Sequence, residues 1–177
     1  MKKIIDTAQA QVGVKEYPPN SNNVLYNTWF YGQVVQDNPA KGEFYPWCGT
    51  SVSWVYFHAG YPLGNIGYTK GFAGCATALK HFQQSGELIP KEKVQPGDIF
   101  IVDWDGNGSP DHTGIVKDPR TLAQGGDFVT LEGNTSAVGS QSNGGEYMEK
   151  LRHYVCGKAK WYFIHPKILD QKNEELL

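Results

Sequence analysis

Three side chains able to carry nucleophilic amide chemistry stand far apart in the chain: Cys48 in "YPWCGTSVSW", His112 in "SPDHTGIVK" and Glu132 in "TLEGNT", with Asn134 two residues later. A thiol at the start of a helix ionises more readily, because the positive end of the helix dipole and a nearby imidazolium both favour the thiolate. An imidazole serving that thiol needs a partner on its other nitrogen to fix the tautomer, and a carboxylate or an amide can fill the place. Glu132 and Asn134 are the candidates. Such a set attacks an amide carbonyl, holds the oxyanion with backbone N–H groups at the helix start, and returns a proton to the leaving amine. On spacing alone, a small buried core residue is the commoner use of such a cysteine. Cys75, Cys156, His58, His81, His153 and His165 have no partner that the pattern identifies.

The elements that must position these groups follow from periodicity. Val52, Val55, Tyr56 and Ala59 recur at helical spacing behind Cys48, and Gly60 and Pro62 supply the stop. Residues 2–12 read as a short amphipathic helix with Ile5, Ala8 and Val12 on one face and Gly13 as its cap. A third helix is expected over 73–85, closed by Gly86. "NNVLYNTWFYG" and "QDNPAKGEF" lead into the Cys48 helix; Asn23, Tyr26, Asn27 and Trp29 in the first suit a sugar or peptide groove and suit packing equally. After Pro96-Gly97 the pattern turns to β-type runs at 98–103, 112–117, 128–134 and 158–165. Helices first and strands after predict an α+β fold, with N-terminal helices packed on one face of an antiparallel sheet. Pairing 112–117 with 128–133 as a hairpin puts His112 beside Glu132. Residues 1–166 read as the domain, and 167–177 as a charged tail, either a linker or a short terminal helix.

Composition narrows the function classes. A formal net charge of -2 and a pI near 6.2 give no basic field for nucleic acid or anionic lipid. No apolar run reaches membrane-span length, and "MKKIIDTAQAQVGV" is too polar after Ile5 for a signal-peptide core, so synthesis in a bacterial host cytoplasm is expected. The three cysteines lack zinc spacing. No cofactor is expected for the chemistry. In "DWDGNGSPDH", Asp103, Asp105, Asn107 and Asp111 alternate and Gly108 holds the sixth position, which copies the first half of an EF-hand loop. Position 12 is Gly114, without the bidentate glutamate, so a structural calcium and an ion-free polar turn both remain open.

The conjunction of "WCGTSVSW", "PGDIFIVDWDGNGSPDHTGIV" and "LEGNT" resembles the CHAP family, the cysteine, histidine-dependent amidohydrolases/peptidases of the papain-like NlpC/P60 clan. Gly49 stands where that family usually has alanine, and Thr113 where valine is common. The resemblance implies Cys48 as nucleophile, His112 as general base and acid, Glu132 as the residue orienting His112, and Asn134 as a further polar member. It also implies an activity: cleavage of peptidoglycan, at the N-acetylmuramoyl-L-alanine bond or within the stem peptide or cross-bridge, as in phage endolysins and bacterial autolysins. The rival readings are an NlpC/P60-type endopeptidase, against which the "EGN" element counts, and a catalytically silent wall-binding module. The oligomeric state is not legible.

Overall fold

The computed structural model describes residues 1–174. In chain order it contains α1 (Lys2–Gln9), α2 (Leu25–Tyr31), α3 (Cys48–His58), α4 (Cys75–Ser85), β1 (Leu88–Ile89), β2 (Ile99–Asp103), β3 (His112–Asp118), β4 (Asp127–Thr135), β5 (Glu146–His153), β6 (Lys160–Ile164) and α5 (Ile168–Glu174). The strands form one antiparallel sheet in the order β1-β6-β2-β3-β4-β5. This is the α+β arrangement expected from the order of the elements, and it is consistent with the papain-like fold that the resemblance implies.

Alternation along the central strands sorts side chains between two apolar layers. Ile99, Ile101, Ile115 and Leu131 face the helices, whereas Phe100, Val102, Val116 and Phe128 face the other way. That second face is closed by Val94 and Leu122 beside short 3₁₀ turns and by Trp104, Tyr154 and Trp161. Helix α3 carries buried residues around most of its circumference, as a helix enclosed on all sides must. It packs across β3 and β4 on one side and against α1 and α2 on the other.

Close approach of α3 to the sheet depends on Gly133. A Cβ there would lie 2.7 Å from the Trp47 ring and 2.8 Å from Ser51 Cβ. No side chain larger than hydrogen fits between the helix start and β4.

Three elements differ from the sequence reading: α1 stops at Gln9, with Ala10 rather than Gly13 as its C-cap, and α2 and β5 are absent from that reading. α2 occupies the stretch taken as a lead-in; its N-cap Val24 makes no side-chain capping bond, and its aromatic composition carries no helical signature. β5 is an edge strand in which Glu149, Lys150, Arg152 and His153 break up the apolar positions, which hides its period of two. The tail forms α5, the short terminal helix of its two readings, but Leu169 is 1% exposed and belongs to the main core. Residues 175–177 of that expected tail lie outside the described residues. Among the described residues no helix is long and apolar enough to cross a membrane.

Gly133→Ala is expected to lower stability by about 1–3 kcal/mol, the usual cost of overpacking, read as a lower urea midpoint with an unchanged slope.

Candidate active site

Cys48 is the first residue of α3, and its position is held from both sides by buried groups. Trp47 is fully buried, stacks on Tyr26 at 5.4 Å and donates its indole N–H to Glu16 at 3.2 Å. Asn27 donates to the carbonyls of Asn22 (2.9 Å) and Tyr45 (2.8 Å) and accepts from the Thr50 hydroxyl at 2.7 Å. It therefore ties the approach to Cys48 to the first turn of α3. Tyr26 and Asn27 are framework, with no exposed surface to line a groove.

His112 opens β3, and Glu132 lies near the end of β4, across the pair Ile115–Leu131. Their side chains meet over Gly114: His112 Nε2 is 2.9 Å from Glu132 Oε2. A Cβ on residue 114 would sit 2.8 Å from Glu132 Cγ and 2.7 Å from the Phe100 ring. The glycine of "HTGIV" thus leaves the lane through which the carboxylate reaches the imidazole.

Glu132 is fully buried and has further partners that the sequence did not single out. Arg152, on β5, donates Nε to Oε1 at 2.8 Å and Nη2 to Oε2 at 2.5 Å, and the Thr130 hydroxyl donates to Oε1 at 2.5 Å. Arg152 is itself placed by Gln141, at 2.8 Å from Nη1, and by the face of Trp104 at 5.1 Å. Burial pushes the Glu132 carboxyl upward, but Arg152 and His112 outweigh it and bring its pKa down to about 2.

Electrostatics then connect the imidazole to the thiol. Burial pulls His112 down, yet its interactions with Cys48 and Glu132 raise its pKa to about 9. The Cys48 thiol is held well below its ordinary value, first by the neighbouring Cys75 thiol and then, against the cost of burial, by His112 and the Gly49 backbone. Since Glu132 takes Nε2, the interaction with Cys48 falls to Nδ1, which is buried and makes no closed hydrogen bond. Both shifts favour a thiolate–imidazolium pair, whose charges, with Glu132 and Arg152, sum to zero.

A family model described as the CHAP domain matches residues 40–134, more than half of the chain, and spans Cys48, His112, Glu132 and Asn134. The chain belongs to the CHAP family. Comparisons with curated proteins and with solved structures gave no match. CHAP domains are generally cysteine- and histidine-dependent amidohydrolases or peptidases, which suggests a peptidoglycan amidase or peptidase with peptidoglycan as its substrate.

Not every residue expected in this CHAP site is hydrogen-bonded to the His112–Glu132 pair. Asn134 is fully buried, but its amide serves the 136–145 segment: Nδ2 donates to Asn143 Oδ1 at 3.1 Å, and Oδ1 accepts from Gly145 N at 3.3 Å. Its φ of 60° sits where β4 shifts register against β5, a conformation asparagine tolerates better than most residues. Cys75 differs in the opposite sense. Read from the sequence as a thiol without a partner, it places its sulfur 3.9 Å from that of Cys48. His153 and His165 also have partners, in Asp127 (2.5 Å) and Asp98 (2.6 Å).

The loop before His112 brings Asp103, Asp105 and Asp111 together, with an oxygen of each within 4.8 Å of the others. Each already accepts backbone N–H groups: Asp103 from Gly106, Asn107 and Gly108, Asp105 from Asn107, and Asp111 from Trp104. Asn107 turns its amide nitrogen to Asp105, and its oxygen accepts from Ser109 N. The donor set suits a hard cation, and the turn is also closed by its own hydrogen bonds. Melting curves separate the two: a rise in Tm with calcium that a chelator reverses is the outcome for a bound ion, and superimposable curves the outcome for a self-closed turn.

Two further outcomes concern charge. Alkylation of Cys48 should stay fast well below the ordinary thiol range, and amide cleavage should fall as pH passes about 9, where His112 loses its proton; these apparent values belong to the pair. Arg152→Gln removes a buried positive charge and should move both limbs of the alkylation profile to higher pH, with Arg152→Lys moving them less. Glu132 has a folded pKa below its ordinary 4.5, so its contribution to stability is complete above that pH and disappears as pH falls toward about 2. The urea midpoint should drop across that window in the wild type and less steeply in Glu132→Gln.

Proposed function

We propose that the protein is a peptidoglycan hydrolase that cleaves an amide bond of the bacterial cell wall through a thiolate mechanism. The observation that carries this reading is the buried hydrogen bond that His112 Nε2 donates to Glu132, beside a Cys48 whose thiol is already biased to the anion. In this reading the Cys48 thiolate adds to the amide carbonyl, and backbone N–H groups at the start of α3 stabilise the oxyanion. His112, protonated at rest, gives its proton to the departing amine and then draws one from the water that cleaves the thioester. Glu132 keeps the imidazole oriented and its charge balanced through both steps. No metal is assigned a role in bond cleavage.

The scissile bond is either N-acetylmuramoyl-L-alanine or an amide of the stem or cross-bridge. A phage endolysin is the setting we propose, on the strength of the wall-directed chemistry alone.

Digestion of purified Gram-positive peptidoglycan, with mass spectrometry of the released fragments, tests the reading. Stem peptides with a free N-terminal L-alanine mark an amidase, and new termini inside the stem or bridge mark an endopeptidase. Absence of fragments across several wall types would overturn the hydrolase reading. Cys48→Ala should abolish release, a loss of at least about 10³-fold for a missing nucleophile, with an unchanged circular-dichroism spectrum.

A further inference from the structure

Cys75 is a buried nucleophile that amide hydrolysis leaves without a covalent task. It opens α4, is 7% exposed, and holds its sulfur 3.9 Å from Cys48 Sγ. Its placement is built by the segment before it. The Ser53 hydroxyl, on α3, accepts from Phe72 N at 2.9 Å and donates to Phe72 O at 2.9 Å, clamping that segment to the helix that carries Cys48. Gly49 permits the contact: a Cβ there would run into the Ala73 carbonyl, with Ala73 C at 2.8 Å. Gly71 does the same one turn further along, where a Cβ would lie 2.9 Å from Ser53 Cβ. Two separate glycine contacts and a reciprocal hydrogen bond therefore hold the second thiol against the first.

We propose that Cys48 and Cys75 form an oxidative modification site, at which a hydroperoxide converts the two thiols into an intramolecular disulfide that blocks the nucleophile reversibly. In the first step the Cys48 thiolate attacks the peroxide oxygen, the O–O bond breaks, and the departing alkoxide or hydroxide takes a proton; Cys48 becomes a sulfenic acid. In the second step Cys75 sulfur attacks Cys48 sulfur, the S–O bond breaks, and hydroxide leaves with the Cys75 proton as water. Two thiols are oxidised by two electrons, and one peroxide is reduced. A disulfide bond of about 2.05 Å requires the sulfurs to close by about 1.9 Å from their resting separation.

The order of events is set by charge. While Cys48 is a thiolate, its hydrogen bond, burial and its charge all hold Cys75 protonated. Conversion of Cys48 to the neutral sulfenic acid removes that charge, so the second thiol is released to react only after the first has been oxidised. The inference uses the Cys48 thiolate alone and does not depend on which amide the enzyme cleaves.

The test uses the full chain carrying Cys156→Ser, which removes the exposed thiol. Reduced protein is treated with hydrogen peroxide, quenched and digested without reductant. The expected product is two hydrogens lighter, yields a peptide pair linked through Cys48 and Cys75, resists alkylation at Cys48, and recovers that reactivity with dithiothreitol. In the Cys75→Ser background the same treatment should carry Cys48 to the sulfinic acid, two oxygens heavier and not recovered by dithiothreitol. Should that second variant fail to fold, the linked peptide from the first still decides. Cys48 reaching sulfinic acid with no linked peptide while Cys75 is present would overturn the proposal.

Discussion

A single buried carboxylate governs this structure. Glu132 has no exposed surface, and an isolated charge in such a place costs several kcal/mol even after relaxation. It is tolerated because Arg152, Thr130 and His112 together give its two oxygens four hydrogen bonds. Those partners come from three neighbouring strands, β3, β4 and β5. A slip of one residue between any two of them would turn one partner to the opposite face and leave the charge stranded. The same bonds that ready His112 for chemistry therefore fix the register of the sheet. Glycine at 114 completes the arrangement by keeping the space between imidazole and carboxylate empty.

The thiol side is organised by packing rather than by pairing. α3 meets β4 at Gly133, and its first turn is tied back by Asn27 and Trp47, so Cys48 has little freedom relative to the sheet. Rigid placement matters because the thiolate is only as stable as its neighbours make it. With Cys48 anionic, His112 and Arg152 positive and Glu132 negative, the cluster is neutral and avoids the cost of a net buried charge.

The sequence made the main architecture and much of the cluster readable, for identifiable reasons. α4 carries an apolar stripe and α3 an apolar run, both closing at or just before a glycine, and β2, β3 and β4 are continuous β-type runs, so local pattern and tertiary burial agree. The meeting of His112 and Glu132 followed from the hairpin that joins their strands. Arg152 stayed hidden because β5, E-Y-M-E-K-L-R-H, mixes charged and apolar residues without clean alternation, and an arginine there looks like surface. Its face could have been read from the period of two: Met148 stands opposite Glu132, and Lys150 and Arg152 follow on the same side. The partner of Cys75 and the loop bonds of Asn134 stayed hidden for a different reason. Both depend on close approaches and loop geometry, through Gly49, Gly71 and a positive φ, that leave no periodic trace.

The position of Arg152 along the chain has a bearing on synthesis. Chains emerge from the ribosome N-terminus first, and Cys48 leaves the tunnel more than a hundred residues before the guanidinium that neutralises Glu132. Until β5 has joined the sheet edge, the carboxylate lacks its counter-charge and the imidazole its settled partner. A nascent or truncated chain that stops short of the fifth strand would carry the thiol but not the electrostatic setting that activates it. Reactivity is thereby coupled to synthesis of the chain through β5.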